Sequence, residues 1–203
     1  MFDDQRSKKI ILIAHCILNQ NVKIDRCARY PGAIQELADL LVDSGVGLLQ
    51  MPCPELKCLG LDRQIGKGLK TTIESEDTRV AQRMTEASSI ARCHGLANDL
   101  INQIREYHKN GFEIMGVIGI NGSPTCGVET TWTGDQEKAA QGVFIRILDE
   151  ECRRRGIVLR FRGIKGYEIP QAIAAAKDLL GNGARRCGEG KGIADGGSAS
   201  DPG

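Results

Sequence analysis

Short, uninterrupted apolar runs alternate along this chain with longer stretches whose apolar residues recur at helical spacing. The runs occupy residues 10–14, 46–51, 113–120 and 157–161. A run of this length and composition is typical of a strand that is buried on both faces, as in a parallel sheet. Since helical stretches separate the runs, the pattern predicts an α/β protein with an open, mostly parallel sheet and helices on both faces.

The stretches between the runs carry signals for where helices begin, bend and end. The first predicted helix spans residues 34–45 and closes at a glycine. Residues 76–110 are helical in composition, with Gly95 as a kink point. Asp135 is the predicted N-cap of a third helix, and Pro170 is well suited to the first turn of the last one.

Two regions lack an apolar period. Residues 54–75 contain a proline and several glycines, which predicts a long functional loop with a short strand near 69–73. Residues 181–203 are rich in glycine, which predicts a disordered tail. We therefore expect a single domain over residues 1–180.

Charge and hydropathy exclude several classes of protein. The 203 residues carry 27 basic and 26 acidic side chains, so the net charge of +1 gives no general attraction to nucleic acid or to an anionic membrane. No apolar run approaches the ~18 residues that a membrane-spanning helix needs. The acidic start of the chain lacks the pattern of a signal peptide. These features predict a cytoplasmic protein that does not enter the membrane.

Eight cysteines are the most informative residues of the chain. Disulfides are rare in a reducing cytoplasm, and clustered cysteines there indicate metal binding or catalysis. Cys16, Cys53 and Cys126 each follow a predicted strand closely. Because open α/β sheets bind ligands at the carboxyl ends of their strands, we expect these three thiols to lie together.

The remaining cysteines have less constrained positions. Cys93 and Cys152 fall on predicted helices and are expected in the core, whereas Cys187 falls in the predicted tail. Cys27 and Cys58 fall in loops near the expected site, either as reserve ligands or as neighbours of the ligands. Three thiolates from distant segments suit an iron–sulfur cluster better than a structural zinc, whose ligands usually come in short knuckles. The short spacing of Cys58 from the second strand-end cysteine keeps zinc open as an alternative.

Several polar and aromatic residues accompany these thiols. Glu55 and Ser123 each lie within three residues of a candidate ligand, where a carboxylate beside an open metal position can activate water or pass protons. Trp132, the only tryptophan, is a candidate to stack on a base. We do not expect a catalytic pair between His15 and Cys16, because neighbours on an extended segment point to opposite faces.

Three segments resemble motifs of the thiouracil desulfidase family, which have the form C-L-L-G, C-P-E…G-L and S-P-S-C-G. The matching segments are Cys-Ile-Leu-Asn at 16–19, Cys-Pro-Glu at 53–55 with Gly-Leu at 60–61, and Gly-Ser-Pro-Thr-Cys-Gly at 122–127. The resemblance extends in order and spacing over residues 9–180. Its departures are Asn19, Cys58 and an inserted stretch that carries Asp25, Arg26 and Cys27, all of which border the substrate pocket that the family would have.

The resemblance implies a Rossmann-like fold and a 4Fe–4S cluster held by Cys16, Cys53 and Cys126. It also implies that Glu55 and Ser123 are catalytic, and that sulfur is removed from a thiolated nucleobase and replaced by oxygen from water, without net redox change. The expected partner is therefore a small thiolated base or nucleoside.

Other functions remain as alternatives at this stage. Closure of the cluster by Cys27 or Cys58 would instead give a non-catalytic redox or sensor protein. The basic run at residues 153–155 adds a tRNA contact as a further hypothesis, although such a run near a helix end is more simply a solvated terminus.

Overall fold

The computed structural model describes residues 2–65 and 71–181. At its centre lies a four-stranded sheet in which every pairing is parallel, and its strands are β1 (Lys9–Ile13), β2 (Gly47–Gln50), β3 (Glu113–Ile120) and β6 (Phe161–Ile164). Their spatial order is β2-β1-β3-β6. A separate antiparallel hairpin is formed by β4 (Thr130–Thr133) and β5 (Gln136–Ala139). The predicted open parallel sheet is confirmed.

Two pairs of helices cover the sheet. One pair is α2 (Gln35–Asp43) and α7 (Ile169–Gly181), which pack against each other and against β2, β3 and β6. The other pair is α5 (Ala87–Lys109) and α6 (Val143–Arg154), whose apolar faces meet each other, with α5 also against β3. Burial of β1 on both sides follows, since Ile11, Leu12 and Ile13 are completely inaccessible to solvent. The chain is thus an open, Rossmann-like α/β protein.

The remaining elements gather at the carboxyl ends of the strands. They are α1 (His15–Leu18), a 3₁₀ turn (Gln20–Val22), α3 (Pro54–Leu59) and α4 (Ile73–Met84), together with the β4–β5 hairpin, which packs on α4. α3 contacts both α4 and α5, so the second strand-end segment is held against the rest of the molecule.

Helix boundaries differ from the sequence-based prediction in three places. Residues 54–75 do not form one loop, because α3 begins directly after Cys53 and α4 begins at Ile73. Of the short strand predicted near 69–73, residues 69 and 70 lie outside the described residues and Ile73 is helical. The helical stretch divides at residues 85–86, while exposed Gly95 lies within the continuous helix α5 and causes no break.

The segment after β3 also differs. Asp135 is not a helix cap, since it lies in the turn of the β4–β5 hairpin, and the N-cap of α6 is Gly142. The fourth sheet strand is Phe161–Ile164, later than the predicted run, whose Val158 is 83% exposed. Pro170 does lie in the first turn of α7, as predicted.

Most of the predicted tail lies outside the described residues, as does Cys187. Within residues 2–65 and 71–181, no helix is long and apolar enough to cross a membrane.

Candidate functional site

A cavity of about 290 Å³ opens at the carboxyl ends of β1, β2 and β3. Cys16, Cys53 and Cys126 all line it, and we call it the thiol cavity. Cys16 lies in α1 directly after β1, Cys53 is the N-cap of α3, and Cys126 lies in the loop after β3. The structure therefore brings together the three strand-end cysteines that the sequence indicated.

Backbone hydrogen bonds at the ends of the strands fix where two of these segments leave the sheet. The Ala14 amide donates to the Ile118 carbonyl at 2.8 Å, and the Met51 amide donates to the Ile13 carbonyl at 2.8 Å. Pro54 then occupies the first turn of α3, where its lack of an amide proton costs nothing. The Leu56 amide points back to the Cys53 sulfur at 3.5 Å, so a backbone donor faces this thiol.

The third segment, residues 121–127, is held by close backbone packing. The Gly142 amide donates to the Gly127 carbonyl at 3.0 Å, which joins the loop to the start of α6. A Cβ on Gly127 would collide with the backbone oxygen of Thr130, and one on Gly142 would lie 2.7 Å from that of Thr125. Only glycine fits at these two positions, which explains the Cys-Gly pair of the motif.

Burial of the three cysteines together would be costly if they were thiolates, unless a cation joins them. Burial raises the pKa of the Cys53 thiol to about 12, helped by the nearby Glu55 carboxylate. Burial, followed by the charges of Cys53 and Cys16, raises the pKa of the Cys126 thiol well above its ordinary value. Burial likewise raises the pKa of the Cys16 thiol. The thiols are therefore protonated when nothing is bound, and a bound metal centre would displace their protons.

Glu55 enters the same cavity from the first turn of α3, and each of its oxygens has a partner. Arg63 Nε donates to one oxygen at 3.2 Å, and the Thr125 hydroxyl donates to the other at 2.7 Å. The Arg63 side chain is 2% exposed and that of Glu55 is 14% exposed, so this is a largely buried ion pair. Its geometry gives the carboxylate one orientation in the cavity.

Ser123 lines the cavity and also organises the loop that carries the third thiol. Its hydroxyl oxygen accepts hydrogen bonds from the amides of Thr125 at 3.2 Å and of Cys126 at 3.0 Å. The Ser123 and Thr125 hydroxyls are 3.2 Å apart. Since the single proton of Thr125 goes to Glu55, the Ser123 proton is free to point to Thr125 or into the cavity.

Sequence reasoning missed three residues of this site. Arg63 is buried and holds Glu55, although arginine in a glycine-rich stretch resembles an ordinary surface residue. Thr125 connects Ser123 to Glu55 and lies inside the matched motif, so its hydroxyl was the available signal. Asp77 lines the cavity from α4, and no motif or spacing indicated it.

The other cysteines separate into two groups. Cys27 lines the thiol cavity, whereas Cys58 packs against the Ser89 carbonyl oxygen at 3.8 Å and against the Cys93 thiol. Cys93 and Cys152 are fully buried in the core, as predicted. Of the two reserve ligands, the structure thus brings only Cys27 to the cavity.

The remaining candidates have mixed outcomes. Trp132 lines the cavity, and its indole nitrogen donates to the Thr78 hydroxyl at 3.0 Å. His15 also lines it, and the two-face argument for His15 and Cys16 was wrong in its premise, because both lie in helix α1 and not on an extended segment. Burial lowers the pKa of the His15 imidazole.

The basic run at the end of α6 lies away from the cavity lining and forms ion pairs with carboxylates of the same helix. Arg153 pairs with Asp149 at 2.8 Å, while Arg154 and Arg155 both pair with Glu151. This arrangement fits the solvated helix end, and the tRNA contact stays a prediction. In the described part of the chain, no group of three or more histidine, cysteine, aspartate or glutamate side chains is arranged to hold a metal ion.

The fold and the cavity define an open parallel α/β protein with three thiols and a paired carboxylate at the ligand-binding edge of its sheet. The chain is 34% identical over 166 residues to the uncharacterized protein MJ0003 of Methanocaldococcus jannaschii, a match that covers 82% of this chain and 88% of that protein. It belongs to the same family as MJ0003.

The chain was also compared with protein-family models and with solved structures. No model of a protein family matches the chain. A solved structure of the [4Fe-4S]-dependent thiouracil desulfidase TudS is 20% identical to it and superposes with a TM-score of 0.47, covering 84% of this chain and 99% of that one.

Proposed function

We propose that this protein is a 4Fe–4S-dependent desulfidase. It removes sulfur from a thiolated nucleobase or a related thiocarbonyl compound, replaces it with oxygen from water, and releases sulfide without net redox change. The observation that carries the proposal is that three strand-end thiols line one cavity together with Glu55. The resemblance of the three cysteine segments to desulfidase motifs supports it independently.

The donor set fits an iron–sulfur cluster. Cys16, Cys53 and Cys126 would hold it, since thiolates are the ligands that such clusters prefer. The raised thiol pKa values are what a cation would reverse, and the Leu56 amide facing the Cys53 sulfur is a donor of the type that tunes cluster sulfur ligands. With three protein thiolates, one iron would stay open as a Lewis acid for the soft sulfur of the substrate.

We expect Glu55 to activate water. Arg63 and Thr125 hold its two oxygens, so the carboxylate keeps one position as the proton of water is transferred to it. A positioned base of this kind contributes ~10²–10⁴-fold to rate. Arg63 acts here as a positioning residue, because it holds the carboxylate and also donates to the Cys53 sulfur at 3.9 Å.

Ser123 and Thr125 connect the base to the third thiol segment. The two hydroxyls and Glu55 form one hydrogen-bonded row, which offers the substrate a donor at Ser123 while it keeps Glu55 oriented. Thr125 is fully buried, so water does not compete for these contacts. We expect Ser123 to orient the heterocycle and Glu55 to receive the proton.

Cys27 supports a second candidate function. Because it lines the thiol cavity, it is the cysteine that would close the cluster as a fourth ligand and give a redox or sensor protein. Either function requires reduced thiols, which favours the cytoplasm as the location.

Metal analysis of anaerobically purified protein tests the proposal. We expect about four irons and four sulfides per chain, against one zinc for a structural site. Replacement of any proposed ligand by alanine should remove the brown chromophore, whereas Cys93→Ala and Cys152→Ala are matched controls that keep it. Loss of the chromophore in Cys27→Ser would favour the sensor. Sulfide release from a panel of thiolated pyrimidines and nucleosides then tests the activity.

A further inference from the structure

The thiol cavity contains a second carboxyl group, that of Asp77 on helix α4. The helix has a well-defined start, because the Thr72 and Ser75 hydroxyls each accept the backbone amide of the other residue in a capping box. This start sets the helical register. Ile73 and Asp77, one turn apart, both line the cavity, whereas Glu74 is exposed to solvent.

The charged and titratable groups around Asp77 come from three segments. The charges of Glu55 on α3 and of Lys23 after the 3₁₀ turn act on the Asp77 carboxyl. The charge of Asp77 in turn acts on the Cys27 thiol. Its own helix contributes the like charges of Glu74 and Glu76.

Two arginines of the described residues near Asp77 are paired with other carboxylates. Arg63 is paired with Glu55 at 3.2 Å, and Arg79 is paired with Glu76 at 2.6 Å. Among the described residues none donates a hydrogen bond to the Asp77 side chain, and Lys23 is the cation whose charge favours its ionised form.

The two carboxyl groups of the cavity therefore differ in their partners. Glu55 accepts hydrogen bonds from an arginine and a hydroxyl, whereas no described residue donates one to Asp77. Burial, and then the charge of Glu55, raises the pKa of Asp77 from 3.8 to about 7. A buried carboxyl of raised pKa that lines the same cavity as a paired carboxylate is a candidate for the acid of that site.

We propose that Asp77 is the general acid of this cavity and gives its proton to sulfur as the sulfur leaves the substrate. This inference rests on the proposed function. One water proton goes to Glu55 while the water oxygen bonds to the thiocarbonyl carbon and the π electron pair moves to sulfur. Asp77 protonates the sulfur as the carbon–sulfur bond breaks, and the proton of the new hydroxyl returns to Asp77 as the carbonyl forms. Glu55 releases its proton to solvent, so the products are the oxo compound, hydrosulfide and one proton.

The pH dependence of sulfide release tests this role. In the wild type, turnover should fall as the pH rises above about 7, because Asp77 loses the proton that it donates. Asp77→Asn should lose ~10²-fold or more of the turnover and should lack that fall, and Asp77→Glu should restore part of both. Glu106→Gln is the control, because Glu106 on α5 is exposed and does not line the thiol cavity, and it should keep the wild-type profile.

Infrared spectroscopy detects the proton on the Asp77 carboxyl directly. Difference infrared spectra of the cluster-loaded protein should show a protonated carboxyl that disappears between about pH 6 and pH 8 in the wild type and is absent from Asp77→Asn. Iron content and the urea unfolding midpoint of each variant establish that it is loaded and folded. The absence of this titrating carboxyl would overturn the assignment.

The role of Asp77 and the desulfidase function are tested by different outcomes. A wild-type profile in Asp77→Asn, with sulfide still released, overturns the role of Asp77 and leaves the desulfidase function standing. No sulfide release from any thiolated pyrimidine or nucleoside by the loaded wild type overturns both.

Discussion

Replacement of Arg63 by methionine should destabilise the fold strongly. The Arg63 side chain is almost fully buried and connects three segments. Its guanidinium donates to Glu55 at 3.2 Å, to the Val22 carbonyl at 2.6 Å, and to the carbonyls of Gly60 at 2.7 Å and Leu61 at 3.0 Å. Methionine keeps much of the length of the side chain and removes every donor.

The expected loss of unfolding free energy depends on the buried groups that lose Arg63 as their partner. Removal of one partner of a buried ion pair costs about 3–5 kcal/mol, because the other charge stays buried without compensation. The carbonyl of buried Val22 also loses its donor, which costs about 1–3 kcal/mol if water does not replace it. Gly60 and Leu61 are exposed, so water replaces the donor there. Part of the Glu55 charge is still met by Thr125, and we expect a total loss of about 4 kcal/mol.

Urea unfolding followed by circular dichroism measures this loss. Arg146→Met is the matched control, because the Arg146–Glu150 pair at 3.3 Å is about half exposed and should be worth no more than about 0.5 kcal/mol. Combined with Glu55→Gln, Arg63→Met should cost clearly less than the sum of the two single changes. A loss below about 1 kcal/mol for Arg63→Met, or strict additivity in this cycle, would refute the reasoning.

Four further outcomes are expected. Glu55→Gln should keep the chromophore and lose ~10²–10⁴-fold in sulfide release. Ser123→Ala should lose less, about the effect of one hydrogen bond of ~1–3 kcal/mol, in the same assay. Gly127→Ala should abolish the chromophore because its Cβ meets backbone, whereas Gly95→Ala, with open space around it, should raise the unfolding free energy by about 0.5–1 kcal/mol. The unfolding free energy of the wild type should fall between pH 4 and pH 7, because the folded-state pKa of Asp77 is raised from 3.8 to about 7 and the unfolded chain ionises first; urea midpoints of Asp77→Asn should lack that component.

The sheet could be predicted because its buried strands are continuous apolar runs in the sequence. β1 and β3 are buried on both faces, and their predicted positions match the structure within one residue. The hairpin could not be predicted in the same way, because all four residues of β5 are exposed and polar or small. Its position depends on contacts with α4, which is distant in sequence, and with the loop at Gly122.

The position of the last sheet strand was missed for a related reason. Val158 looks like a core residue in the sequence, yet it is the most exposed large apolar residue described, and pairing with β3 begins only at Phe161. Here the register of the parallel pairing overrides local composition. The short helix α3 was missed because six residues are too few to show a helical period.

Only the site residues that follow a strand directly or belong to a motif could be predicted from the sequence. The strand-end rule accounts for the gathering of the thiols, since it needs no knowledge of side-chain contacts. Arg63 contributes through its burial and its pairing with Glu55 on another segment, and Asp77 contributes through its place in the cavity lining. No local pattern encodes such partners, so these residues became visible only in three dimensions.

The three thiols of the cavity follow strands that are neighbours in the sheet but far apart along the chain. Parallel pairings close long stretches of chain, and such contacts form slowly during folding. The cysteines therefore become neighbours only after β1, β2 and β3 have paired, and a newly made, unfolded chain offers single thiols at scattered positions. On the proposed function, the complete set of ligands for a cluster would therefore exist only once these three strands have paired.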